Sequence, residues 1–159
     1  MADPESTERG RHYWNRRALT YPRFEEGEDT LEAEVLRLAR AHGVDFGGKS
    51  VLDVGCGSGK YTLRLAREAA RVVAVDISDE MLRILREDAA GLGMRNIRCV
   101  RSAWEDFAAD ERFGIVFAAL TPAVHNDASR EKLMNFAAGQ LVHVAFDRHM
   151  YSDVLQGLY

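Results

Sequence analysis

The chain has 159 residues, 47% hydrophobic and 29% charged, enough to bury one continuous core and too few for a second independent domain. A formal charge of -4 and a pI near 5.7 exclude any global attraction to nucleic acid or an anionic membrane surface. Two cysteines, Cys56 and Cys99, make neither a disulfide framework nor a zinc-ligand cluster, so a reducing, cytoplasmic compartment is expected.

Residues 1–10 are polar and acidic with no apolar run, which predicts a mobile tail and not a signal peptide or membrane span. An aromatic and arginine-rich segment follows from Arg11 to Phe24, then an acidic patch at Glu25, Glu26, Glu28 and Asp29. Residues 1–24 therefore read as a tail and arm, and 25–159 as one folded domain. Leu31, Val35, Leu38 and Ala39 recur at helical spacing behind the caps Asp29 and Thr30, predicting a helix to about Gly43.

From Lys49 onward a short apolar run, a polar or glycine turn and a helical segment alternate, as in parallel strands joined by crossover helices. The predicted strands are Ser50 to Val54, Arg71 to Val75, Asn96 to Val100, Phe113 to Ala119 and Gln140 to Phe146. Helices are predicted near Gly59 to Ala69, Asp79 to Leu92 and Ala128 to Ala138, with a weaker turn around Trp104 to Ala109. In the second helix Leu82, Leu85, Ala89 and Leu92 share a face, Ser78 is the cap, and Asp79 and Glu80 occupy the electropositive first turn. Right-handed crossovers order such strands as an open, doubly wound, mainly parallel α/β sheet. Its ligands sit beyond the carboxyl ends of the strands, where the strand order reverses.

Asp53-Val54-Gly55-Cys56-Gly57-Ser58-Gly59 falls where the first strand turns into the first helix. Glycines at alternate positions suggest a backbone approached closely by a ligand. A dinucleotide site requires G-x-G-x-x-G, whereas the spacing here is G-x-G-x-G. Asp53, two residues before Gly55, would oppose a pyrophosphate and favours a cationic ligand. Lys60-Tyr61 after Gly59 excludes a P-loop. The second strand ends at Asp76, seventeen residues after Gly59, where an acid accepts both hydroxyls of a ribose or simply caps the next helix.

Val-Leu-Asp-Val-Gly-Cys-Gly-Ser-Gly followed by Val-Val-Ala-Val-Asp-Ile-Ser resembles the first two motifs of class I S-adenosylmethionine-dependent methyltransferases, a Rossmann-like family. The resemblance covers about Lys49 to Phe146. It implies that S-adenosylmethionine is the cofactor, with Asp53 toward its ammonium and the backbone around Gly55, Cys56, Gly57, Ser58 and Gly59 packed against it. It further implies Asp76 on the ribose, Ile77 over one face of the adenine, and Ala103 and Trp104, with Glu105 beside them, at its edge. Trp104 reads equally well as a core aromatic.

The segment Phe113 to Ala123 is similar to the family's fourth strand and following loop, where the methyl faces its acceptor. It lacks the Asn/Asp-Pro-Pro-aromatic form associated with nucleobase or glutamine amino groups. His125 is the best-placed general base if one is needed. His143 and His149 flank Asp147 without a convergent third ligand, so no metal is assigned. In the arm, Tyr13, Trp14 and Tyr21 suit a lid over a sulfonium. Alternatively, Arg11, Arg16, Arg17 and Arg23 suit an anionic acceptor, or the rings pack on the sheet while the arginines pair with the acidic patch.

A complete domain of that family has seven strands, and the sequence carries five. The last strands are thus expected to be lacking, with Gln140 to Phe146 an apolar edge that needs covering. A homodimer or a shortened domain with an incomplete acceptor pocket follows as an expectation. The expected function is methyl transfer to a small-molecule acceptor, without membrane or nucleic-acid partners. A non-catalytic cofactor-binding module and an NAD-dependent oxidoreductase are the alternatives.

Overall fold

The computed structural model describes residues 2–146. Five strands, β1 (Ser50–Val54), β2 (Arg71–Asp76), β3 (Ile97–Arg101), β4 (Phe113–Ala119) and β5 (Ala137–Val144), form one sheet in the order β3-β2-β1-β4-β5. Every neighbouring pair is parallel. The order reverses beside β1, which places a crevice at the carboxyl ends of β1 and β4. This is the doubly wound, Rossmann-like sheet that the alternation predicts.

The central strands are mostly apolar because both faces are covered, as parallel sheets require. On one face Leu52, Val54, Val73, Val75 and Val116 pack with Trp104, Phe107 and Leu133. On the other, Val51, Val72, Ile115 and Phe117 meet Leu36, Phe46 and Leu65. Successive residues of β1 therefore serve opposite layers, which follows from the two-residue period of a strand.

Five helices accompany the sheet: α1 (Pro4–Ala18), α2 (Leu31–Ala41), α3 (Thr62–Leu65), α4 (Asp79–Gly91) and α5 (Asp127–Phe136). The first corrects the expected mobile tail. Asp3 caps it by accepting the Ser6 N–H at 3.0 Å, Pro4 begins it and Glu5 lies in its first turn, an arrangement that satisfies orphan donors at a helix start. Thr30 caps α2 as predicted, but its buried face is rotated. Leu31 and Leu38 are exposed, while Ala33 and Leu36 are buried and Glu32 turns inward to Lys60 at 2.7 Å.

Helix α3 is a single turn where eleven residues are predicted, since the chain beyond it tightens into i→i+3 bonds at Arg67 and Glu68. The Asn96 side chain collects the released carbonyls of Ala66 and Ala69. Helix α5 stops at Phe136, two residues early, and β5 begins at Ala137, three residues before the predicted start. Gly139 explains this early pairing: a Cβ there would lie 2.7 Å from the Gly114 carbonyl oxygen.

The two sheet edges differ in chemistry. Edge strand β3 exposes Arg98 and Arg101, charges of the kind that discourage strand addition. On β5, residues 138–141 are exposed and carry no charge. Gly139→Ala is expected to push β5 off β4 and lower stability by about 1–3 kcal/mol, read as a reduced urea midpoint by circular dichroism; an unchanged midpoint would contradict the close approach.

Candidate functional site

A cavity of about 460 Å³ opens at the carboxyl ends of β1, β2 and β4, where the topology places a ligand. Its floor is the glycine loop after β1. One wall comes from residues 102–105, a second from residues 120–126, and the third from α1.

The loop is held against β2 by two backbone bonds, from Gly55 N–H and Cys56 N–H to the Val75 carbonyl, at 2.8 and 3.1 Å. Gly55, Gly57 and Gly59 all adopt positive φ, a conformation costly for residues with a Cβ. Each glycine has a second, different reason. A Cβ on Gly55 would strike Thr121 Oγ1 at 2.0 Å, and one on Gly59 would strike Leu85 Cδ1 at 2.2 Å. A Cβ on Gly57 would meet nothing within 4 Å, and Gly57 lines the cavity. Of the three, Gly57 is where a side chain would take up ligand space.

Asp76 ends β2 with both oxygens engaged. Oδ2 accepts the Gly57 N–H at 2.8 Å and Oδ1 the Ser78 N–H at 2.9 Å. Burial raises its pKa, and the N–H groups of Ser78, Gly57 and Ile77 oppose that rise. Asp53 lies deeper, 3% exposed, and accepts the Thr62 hydroxyl at 2.6 Å. Burial pushes its carboxyl up to about 7; the Thr62 bond opposes the shift and the Asp76 charge adds to it. Cys56 is buried, and its thiol is pushed well above the ordinary value by burial and by the two aspartates. It remains a protonated packing residue, without nucleophilic character.

The remaining predicted residues divide between cavity and core. Ile77 and Ala103 line the cavity. Trp104 does so while its buried ring stacks on Phe107 at 5.6 Å and its indole N–H donates to the Ser129 carbonyl at 3.1 Å. Ser58 is buried and donates to the Pro22 carbonyl at 3.2 Å, tying the loop to the end of the arm. Gly59 supports α4 packing, and Asp53 and Cys56 lie behind the cavity surface.

His125 stands in the wall after β4. The Asn126 side chain caps α5 by accepting the Ser129 N–H through Oδ1 at 2.8 Å, so its amide Nδ2 points to His125 Nε2 at 3.1 Å. Nε2 must then accept, and Nδ1 carries the proton, donating to the Pro122 carbonyl at 3.2 Å. His125 is held as one tautomer whose basic nitrogen is engaged by an amide that an incoming donor must replace.

The arm does not pair with the acidic patch as one expectation had it. Arg11 reaches Asp79 at 3.2 Å, and Arg23 reaches Asp88 at 2.8 Å and Glu87 at 3.1 Å, all on α4. Asn15 Oδ1 accepts the Ser78 hydroxyl at 2.7 Å. Trp14 and Tyr21 pack beside Met81 and Ile84 and line the cavity, whereas Tyr13 lies edge-on to Trp14 on the outside.

Sequence reasoning missed the inner face of α1, with Asp3, Ser6, Thr7 and Gly10, whereas Leu120 and Thr121 fall in the loop after the fourth strand that it had marked. Asp3-Pro4-Glu5 was the available signal for the helix. Leu120 adopts φ 51°, a backbone strain typical of functional loops and carried by no recognisable motif. His143 lies in β5, and Asp147 and His149 fall outside the described residues. No group of three metal-ligating side chains occurs among the described residues, nor does any helix long and apolar enough to cross a membrane.

Comparison with known proteins gives a consistent pattern. The magnesium-protoporphyrin O-methyltransferase of Rhodobacter capsulatus is 46% identical over 63 residues, 39% of this chain and 26% of that protein. The malonyl-[acyl-carrier protein] O-methyltransferase of Pectobacterium atrosepticum is 42% identical over 78 residues, 48% of this chain and 29% of that protein. The chain thus matches less than a third of the length of these curated relatives. Among solved structures, the DhpI-SAH complex superposes with a TM-score of 0.67 at 25% identity, covering 91% of this chain and 71% of that one. Magnesium protoporphyrin IX methyltransferase from Synechocystis PCC 6803 with bound SAH shares the fold at TM-score 0.70 and 20% identity, covering 96% and 79%. The family described as "Methyltransferase domain" matches residues 51–142, more than half of the chain. The chain belongs to that family, with the Rossmann-like fold of class I S-adenosylmethionine-dependent methyltransferases.

Proposed function

We propose that the cavity binds S-adenosylmethionine and that the chain directs methyl transfer to a small-molecule acceptor. The observation that carries this reading is the pairing of Gly57, whose missing side chain leaves cavity space, with Asp76, whose carboxylate is fixed beside it at the cavity wall. A carboxylate immobilised by two backbone donors retains lone pairs for a ribose diol. The sugar is thereby oriented without the side chain having to reorganise.

Asp53 attracts the ammonium end from behind the glycine loop, with its negative charge favoured once a cation lies nearby. Ile77 covers the adenine, and the Ala103 backbone and Trp104 border its edge. Gly55 and Gly59 let the loop close on Thr121 and α4, while Cys56 and Ser58 fix it from behind. When bound, the cofactor supplies an electrophilic methyl on a positively charged sulfur. The chain then contributes orientation and exclusion of water, which suffice for an in-line displacement with an activated leaving group. His125 accepts an acceptor proton through Nε2 where the acceptor requires it, the acceptor replacing the Asn126 amide.

Asp53 gives a pH signature. Its folded pKa, about 7, lies above its unfolded one, so its stability contribution is full below about pH 4 and is lost as pH rises toward about 7. Asp53→Asn, which keeps an acceptor for Thr62, is expected to stabilise the ligand-free protein by about 1–3 kcal/mol near pH 8. The gain should vanish toward about pH 4. Thermal melts across this range test it, and a gain independent of pH would refute the buried carboxylate as its source.

Calorimetric titration with S-adenosylmethionine, S-adenosylhomocysteine and NAD tests the main reading. Binding of the first two, weakened at least about tenfold by Asp76→Ala as expected for the loss of charge-assisted bonds, supports it. Binding of NAD alone would overturn it.

A further inference from the structure

Resting on the proposed cofactor reading, we infer that Asn15 of α1 is a positioning residue for ribose recognition: through Ser78 it sets the plane of the Asp76 carboxylate that the cofactor's sugar meets.

Helix α1 turns two faces inward. Ser6, Thr7, Gly10 and Trp14 recur at helical spacing along the cavity wall. Asn15 and Ala18 lie further round the helix and meet the start of α4, where Ala18 packs with Met81 and Ile84. Asn15 is a polar contact in that seam. Its Oδ1 accepts the Ser78 hydroxyl at 2.7 Å and the Glu80 N–H at 3.3 Å. A backbone N–H can only donate, so the atom facing α4 must be the amide oxygen, and the orientation of the side chain is fixed.

The cap of α4 is thereby divided between two segments of chain. Ser78 Oγ takes the Met81 N–H at 3.1 Å and Asn15 takes that of Glu80, two of the donors that a helix start leaves without intrahelical partners. Ser78 is fully buried, so water does not receive its hydroxyl proton, and Asn15 is the acceptor. Removing Asn15 leaves a buried donor unsatisfied, which costs more than the bond itself contributes. Turning of the serine relieves that cost.

Turning Ser78 moves more than a cap. Its N–H holds Asp76 Oδ1 at 2.9 Å, while the Gly57 N–H holds Oδ2 at 2.8 Å. One donor on each oxygen keeps the carboxylate from swinging, and each oxygen retains a lone pair for one hydroxyl of a vicinal diol. With Ser78 displaced, the group pivots on Gly57 alone. Asn15 therefore acts on the ribose without touching it. Mere docking of α1 would instead make its loss weaken binding of every part of the cofactor alike.

Calorimetry with S-adenosylhomocysteine and its 2′-deoxy and 3′-deoxy analogues separates the two roles. The full chain is expected to bind the parent at least about tenfold tighter than one or both analogues, as for hydrogen bonds to a charged group. In Asn15→Leu and Asn15→Ala the parent should weaken about tenfold, toward the analogues, whose own affinities change by less than about threefold. Both substitutes are better helix formers than asparagine, so circular dichroism should be retained. Asn15→Asp, which keeps an acceptor oxygen at the start of α4, should restore the discrimination. Arg23→Gln loosens the arm from Glu87 and Asp88, neither of which lines the cavity, and should leave the ratio intact. The inference is overturned if Asn15→Leu and Asn15→Ala keep the original ratio, even with all three affinities lowered together, or if Asn15→Asp fails to restore it. Equal binding of the three ligands by the unaltered chain would take the ribose away from Asp76 and overturn it too. Absence of S-adenosylhomocysteine binding to the unaltered chain is a different failure, which removes the cofactor reading and this inference with it.

Discussion

The carboxylate of Asp76 ties together three pieces of chain at the mouth of the cleft. Through Oδ2 it holds the glycine loop at Gly57, and through Oδ1 it holds Ser78, the cap of α4. The end of β2, the loop after β1 and the start of α4 are thus fixed by one side chain. The same carboxylate faces the cavity. Burying such a charge is costly unless it is hydrogen-bonded, and the two N–H donors offset that cost before any ligand arrives.

Asp53 is under a harsher regime. It has one hydroxyl donor, deep burial and a second carboxylate nearby, so it sits close to half-protonated near neutrality. Two acids with one incompletely satisfied form a site that gains from a positive group. The polarity of the cleft therefore follows from burial and the G-x-G-x-G loop together, since the loop gives Asp76 the Gly57 N–H whereas Asp53 relies on the Thr62 hydroxyl.

Much of the sheet was legible because a parallel strand buried on both faces reads as an apolar run. Ser50–Val54 and Phe113–Ala119 appear at their predicted bounds. Helix faces were less legible where polar residues turn inward. The burial of Glu32 depends on Lys60, twenty-eight residues away, and no periodicity reports such a partner. Helix α1 was misread because a polar composition suggests disorder, although Asp3-Pro4-Glu5 carries the cap, the rigid first residue and the first-turn acid. In the site, spacing drew attention to Asp76 and Gly57 but left Asp76 open between ribose ligand and helix cap. The distinct reasons for Gly55 and Gly59 could not be read from it, because Thr121 and Leu85 reach them only through the tertiary fold. The strained Leu120 has no local sequence cue, since a leucine at positive φ is held there by its surroundings, including the 2.8 Å bond from its N–H to Val144.

Ser78 links the arm to the cleft more directly than proximity would. Its hydroxyl accepts the Met81 N–H and donates to Asn15, while its own N–H binds Asp76. Displacing α1 would strip Asn15 from this residue and withdraw Trp14 from the cavity wall, so one element both closes the cavity and supports the cap of α4. Rigid placement of Asp76 and closure by α1 consequently favour each other. A ligand that makes contact with both gains from that coupling without any change in the sheet.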